Sequence, residues 1–203
     1  MLDHRQLIES INNRCKSYFQ NSYFNLFLSS NTRNSFFYQI QGTSLAINQK
    51  KNNPEEVKVL QWFDDFWIFI EFRFISDTSF ISMSIFQGNE TDPVKHQLFR
   101  AEWDDYNNPD EKHPQPHWHI TSDFSIEESF KDFSDSYDEG ASFSTFEAVK
   151  SEIIDIKKIH FAMNGNWQND NNHTHCLNDN DKIVKWFQGM LLHLRTELEY
   201  VKQ

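Results

Sequence analysis

The chain has 203 residues, and 19 Lys and Arg against 30 Asp and Glu give it a formal charge of −11. Twenty Phe and six Trp are more than a disordered chain carries, and no run approaches the roughly 18 apolar residues of a membrane span. Five Gly, where average usage would give about fourteen, argue against collagen-like, low-complexity and Gly-rich phosphate-loop architectures.

A chain of this length buries roughly 70% of its unfolded surface, so it needs neither disulfides nor structural metals to fold. Cys15 and Cys176 form no CxxC pair, and Cys15 falls on the apolar face of an expected helix, the usual place of an inert thiol. The first residues, Met1 to Gln6, lack the apolar core of a signal peptide. A reducing, cytoplasmic compartment is therefore expected. No basic run exceeds two residues (Lys50-Lys51, Lys157-Lys158), which disfavours broad nucleic-acid binding and favours a protein partner.

In chain order, Asp3 and Gln6 have capping-box spacing. Leu7, Ile8, Ile11, Cys15, Tyr18 and Phe19 then recur at helical period, predicting a helix over about 3–20. Asn21, Ser29-Ser30-Asn31 and Asn34 interrupt the next stretch, and Ser35–Gln41 and Thr43–Asn48 read as strands around Gly42. Phe66–Ile75 has apolar residues at every second position (Phe66, Ile68, Ile70, Phe72, Phe74), and Ser79–Gln87 sets Ile81, Met83 and Ile85 on one side with Ser82 and Ser84 on the other. A turn at Asp77-Thr78 would pair Phe74 with Ile81 and Phe72 with Met83, leaving Arg73 opposite Ser82 and Glu71 opposite Ser84. A third strand is expected at His96–Asp104 and a fourth at Pro116–Thr121, joined by a polar loop with Pro109 and Pro114. Pairing Trp103 with Trp118 would set Asp104 opposite His117 and Glu102 opposite His119.

Beyond the sheet the period changes to 3.6. Ser125 with Glu128 caps a short expected helix through Phe133, and an acidic, Ser-rich link at 134–142 is the best candidate for a boundary. Ser144 with Glu147 opens a long expected helix, Thr145–Met163, whose seam includes His160, and a last helix runs over Asp181–Val201 with His193 on its flank. Together these predict a single α+β domain over 1–203. It has an antiparallel meander of at least four strands within about 35–121, an N-terminal helix, and a helical part over about 144–203 with a C-terminal pair of long helices.

In those registers one sheet face gathers Glu71, Arg73, Ser84, Arg100, Glu102, Asp104, His117 and His119. His117 or His119 with Glu102 or Glu71 could serve as acid and base, and Arg73 and Arg100 could bind phosphate. A sheet presenting Glu, Arg and His in that chain order resembles, in arrangement only, the metal-independent microbial ribonucleases; the acidic charge and the extra helices depart from them. The H-x-H of His117 and His119 also permits a divalent metal such as zinc, with Glu102 or Asp104 opposite and His113 swinging in from the loop. A solvated polar face is the competing explanation of the whole set. His173, His175 and Cys176 form a second polar cluster without a recognised metal spacing. Trp62, Trp67 and Phe69 read either as a docking patch or as core. The leading expectation is an accessory domain of a bacterial multi-protein system that binds another protein through its sheet face or C-terminal helices. The alternative is a nuclease-like phosphodiester hydrolase built on the His/Glu/Arg cluster.

Overall fold

Asp3 caps the first helix: its carboxylate accepts from the backbone N–H of Arg5 and Gln6, both at 3.1 Å, satisfying two of the orphan donors of a helix start. The helix, α1 (His4–Cys15), turns into a short 3-10 segment at Lys16–Tyr18 and so ends before residue 20. The computed structural model describes residues 2–19, 21–49, 53–105, 115–120 and 176–202. The expected helices at 125–133 and 145–163, the link at 134–142, and His113, His160, His173 and His175 lie outside the described residues.

Eight strands follow α1: β1 (Leu26–Thr32), β2 (Ser35–Ile40), β3 (Ser44–Asn48), β4 (Glu55–Phe63), β5 (Phe66–Ile75), β6 (Thr78–Gln87), β7 (His96–Asp105) and β8 (His117–Ile120). All pair antiparallel, in the order β1-β2-β5-β6-β7-β8, a largely meander-like sheet. One edge of β5 is shared. Its C-terminal half pairs β2 (Glu71 with Gln39), while its N-terminal half pairs β4 (Ile68 with Leu60). The sheet therefore forks, and β4 carries β3 away as a ribbon. Gly42 stands at the fork, where a Cβ would come within 2.3 Å of the Lys58 carbonyl carbon, so only glycine allows this approach.

One face of the sheet is the aromatic and aliphatic core. Ile68, Ile70 and Phe72 meet Ile85, Met83 and Ile81 across β5 and β6, and Phe99, Ala101 and Trp103 continue the layer on β7. Helix α2 (Asn180–Val201), capped by Asp179, covers this face with buried Ile183, Val184, Phe187, Leu191, Leu194 and Leu198. Phe187 lies 5.9 Å from Phe72 and Trp186 lies 5.3 Å, edge-on, from Trp103. Burying each such side chain contributes roughly 1.5–3 kcal/mol. Helix α1 is tied to the sheet by Asn12, which donates to the Leu26 carbonyl and accepts from the Leu26 N–H. Of the expected C-terminal helix pair, this last helix is the member among the described residues.

Both expected hairpin registers are corrected by two residues. The β5–β6 turn is Ser76-Asp77, so Phe72 pairs Ile81 and Ile70 pairs Met83 in place of Phe74–Ile81 and Phe72–Met83; Glu71 pairs Ser82 and Arg73 pairs Phe80. Ser76 adopts φ 50, the left-handed conformation this tight turn uses. Likewise Trp118 pairs Ala101 and not Trp103, His117 pairs Glu102, and His119 pairs Arg100. A slip of two leaves every side chain on its expected face, so hydrophobic alternation cannot tell the two registers apart. Only the turn decides.

Candidate metal centre

The corrected pairing changes which groups meet. One cross-strand row on the second face reads Gln39, Glu71, Ser82, Glu102, His117, one residue from each of β2, β5, β6, β7 and β8. The adjacent row brings Phe69, Ser84, Arg100 and His119 into line. Glu102 thus lies directly opposite His117 and next to His119.

The side chains converge. Glu102 Oε2 is 2.7 Å from His119 Nε2 and 3.6 Å from His117 Nε2, and the two Nε2 atoms are 2.8 Å apart. These three atoms form a group in which each residue offers one ligand atom within 4.8 Å of the others. A tetrahedral zinc with bonds of about 2.0–2.2 Å would hold its ligand atoms about 3.3 Å apart. The observed edges of 2.7, 2.8 and 3.6 Å bracket that spacing, so the two shorter edges would have to open by about half an ångström around a bound ion. The imidazole Nε2 of His119 has one in-plane valence, filled by a proton or a lone pair, yet it faces two polar atoms at hydrogen-bonding distance. A central cation uses all three lone pairs together, which no single proton arrangement does.

The electrostatics favour the ligand forms. Burial by itself would raise the Glu102 carboxyl, but the neighbouring His117, Arg100 and His119 outweigh it and hold the group at about 2. Burial, with the neighbouring Arg100 and His117 charges, lowers His119 below the ordinary histidine value, against the opposite pull of Glu102. At neutral pH the carboxylate is ionised and the lowered His119 value favours the neutral ring, so a metal would need to displace only the Nε2 proton that His119 gives to Glu102. The Glu102 and His117 side chains are 13% and 14% exposed, whereas His119 is 40% exposed. Solvent therefore reaches the triad from the His119 side, where an additional ligand could enter.

The other expected site residues take different places. Arg100 is buried, its Nε 2.7 Å from Glu102 Oε1, and its Nη1 donates to the Gln49 carbonyl. It is committed to the protein and is not presented to a phosphate. Glu71 and Arg73 form a two-point ion pair, with contacts of 2.8–3.1 Å, and line a separate cleft of about 450 Å³ at the fork. Asp104 pairs Phe80 across β6 and its backbone N–H donates to Gln115 Oε1, so it is not opposite His117. Cys176 is exposed. Trp62, Trp67 and Phe69 are buried, which assigns them to packing.

The second face is not solvated along its centre. Glu71, Ser82, Ser84 and Arg100 are all buried, part of the cover being the end of β3: Ser84 Oγ donates to Asn48 Oδ1 at 2.8 Å, and the Gln49 N–H donates to Gln97 Oε1. Asn48 and Gln49 are the site residues that sequence reading passes over. Their only signal was a polar pair closing a short strand, which many loops share. Among the described residues, no helix is long and apolar enough to cross a membrane. Compared with known proteins, the chain matches no family model, no curated protein and no solved structure.

Proposed function

We propose that this protein binds a divalent transition metal, zinc first, through Glu102 Oε2, His117 Nε2 and His119 Nε2, and uses the solvent-facing side of that centre for hydrolysis of phosphodiesters. The supporting observation is the closed triangle of three ligand atoms with one half-exposed corner. Two His and one carboxylate with room for water is the donor set of catalytic rather than structural zinc. The metal supplies the acidified water and the positive charge that a phosphate needs, a charge Arg100 cannot supply from its buried pair. Purified protein should hold one zinc per chain and cleave bis(p-nitrophenyl) phosphate. A folded His117→Ala/His119→Ala double variant should lose both. Hydrolysis surviving in that variant refutes the reading.

A docking role has its own support at the other end of the sheet. Strand β1 closes the strand order, and Phe27 and Leu28 on it are 41% and 43% exposed. An extended partner segment could add to this edge through main-chain hydrogen bonds. Partner binding lost on charging Phe27 and Leu28, yet kept in the double histidine variant, distinguishes docking from hydrolysis.

A further inference from the structure

The metal ligand Glu102 does not hold itself. One carboxylate oxygen, Oε2, faces the two histidines, while the other, Oε1, forms a close ion pair with Arg100 Nε at 2.7 Å that lacks the alignment of a hydrogen bond. Arg100 is in turn fixed by its Nη1 hydrogen bond to the main-chain carbonyl of Gln49, at the end of the β3–β4 ribbon. That end is pinned to the sheet at two further points, Gln49 N–H to Gln97 Oε1 and Ser84 Oγ to Asn48 Oδ1, while Asn48 Nδ2 donates within the ribbon to Glu55 Oε1 at 3.4 Å. Asn48 and Ser84 are fully buried and Arg100 nearly so.

We propose that Arg100 is the positioning residue of the metal centre, and that through it metal occupancy and the docking of the β3–β4 ribbon are thermodynamically coupled. The proposal rests on the metal reading above. The physical reason is the planarity of the carboxylate. The buried charge beside Oε1 disfavours rotation of the Glu102 carboxyl, which keeps Oε2 aimed at the Nε2 atoms. With Oε1 released, the group turns and the monodentate position is lost. Because Arg100 draws its own position from Gln49, loosening the ribbon loosens the ligand. By linkage, metal bound at Glu102 must tighten the ribbon by the same factor.

The experiment uses the full chain with zinc as the probe, in two readouts: zinc affinity by chelator competition, and amide hydrogen exchange over Ser44–Asn48 with and without zinc. Arg100→Gln is expected to weaken zinc binding about 10–100-fold, as loss of an outer-shell partner does. Arg100→Lys keeps the charge but cannot bridge Glu102 and Gln49, so it should fall close to the Gln variant. Asn48→Ala touches no ligand and should still weaken zinc about 5–30-fold, within the usual range of coupling. In the wild type, zinc should slow exchange in β3 by that same factor. If Arg100→Gln fails to fold, the wild-type exchange and Asn48→Ala carry the test. Zinc bound stoichiometrically with β3 exchange unchanged, or with equal affinity in Asn48→Ala, overturns the coupling and leaves the metal centre standing. No zinc binding by the wild type overturns the centre itself.

Discussion

Replacing Glu102 by Gln in metal-free protein removes one charge while keeping the shape of the side chain. The carboxyl is held at about 2 against an ordinary 4.5. At about 1.36 kcal/mol per pH unit that fall is worth about 3 kcal/mol of stability at neutral pH. The side chain is only 13% exposed, so solvent screening takes little of this away. The variant also strands the Arg100 guanidinium, buried, without its counter-charge, and breaking such a pair costs about 3–5 kcal/mol. The two routes agree on a loss of about 3–4 kcal/mol, which for a chain of this size lowers Tm by about 6–16 °C. Urea denaturation in EDTA, followed by tryptophan fluorescence, measures it directly. Glu102 has a depressed folded-state value, so its contribution is complete above 4.5 and disappears as pH falls towards 2. The gap between wild type and Glu102→Gln should close across that window. A gap under about 1 kcal/mol at pH 7, or one unchanged from pH 6 to pH 2, would show that the carboxylate is not held by charge and refute the reasoning.

Ser82 sits between Glu71 and Glu102 in the cross-strand row, fully buried, and its hydroxyl has no hydrogen-bond partner among the described residues. Ser82→Ala should therefore be neutral or stabilise by up to about 1 kcal/mol in the same urea assay, and a loss above about 1 kcal/mol would reveal a partner. Burial pushes the Cys15 thiol up to about 12, whereas Cys176 is exposed. At pH 8 the native protein should take up one iodoacetamide at Cys176, with Cys15 reacting only in denaturant; peptide mapping of the label checks the order.

The faces of the sheet were legible because alternation is a local property. Ile68, Ile70 and Phe72, with Ile81, Met83 and Ile85, fall on the core side whichever even register the hairpin takes. The Asp3 cap, the seam of α2 and the buried thiol were legible for the same reason, each being set by residues within a few positions. Strand β1 was not: only Leu26 is buried along it, so it lacks the alternation that marks a half-buried strand. Strand β4 carried a signal in Val57 and Val59, but a register irregularity between Gln61 and Phe63 broke the pattern that would have extended it.

The chain's residue types and their periods determined by themselves that His117, His119, Glu102 and Arg100 share one sheet face opposite an aromatic core. Tertiary structure alone decided which of them touch. A two-residue slip is invisible to alternation but moves a partner nearly 7 Å along the strand, and it is this slip that sets Glu102 beside both histidines and removes Asp104. The cover over Arg100 is likewise a tertiary fact. It comes from Asn48 and Gln49, about fifty residues earlier in the chain, whose place depends on the fork at β5. Local residue order sets direction, period and caps. Long-range closure of the sheet sets distance, and distance makes a polar face into a site.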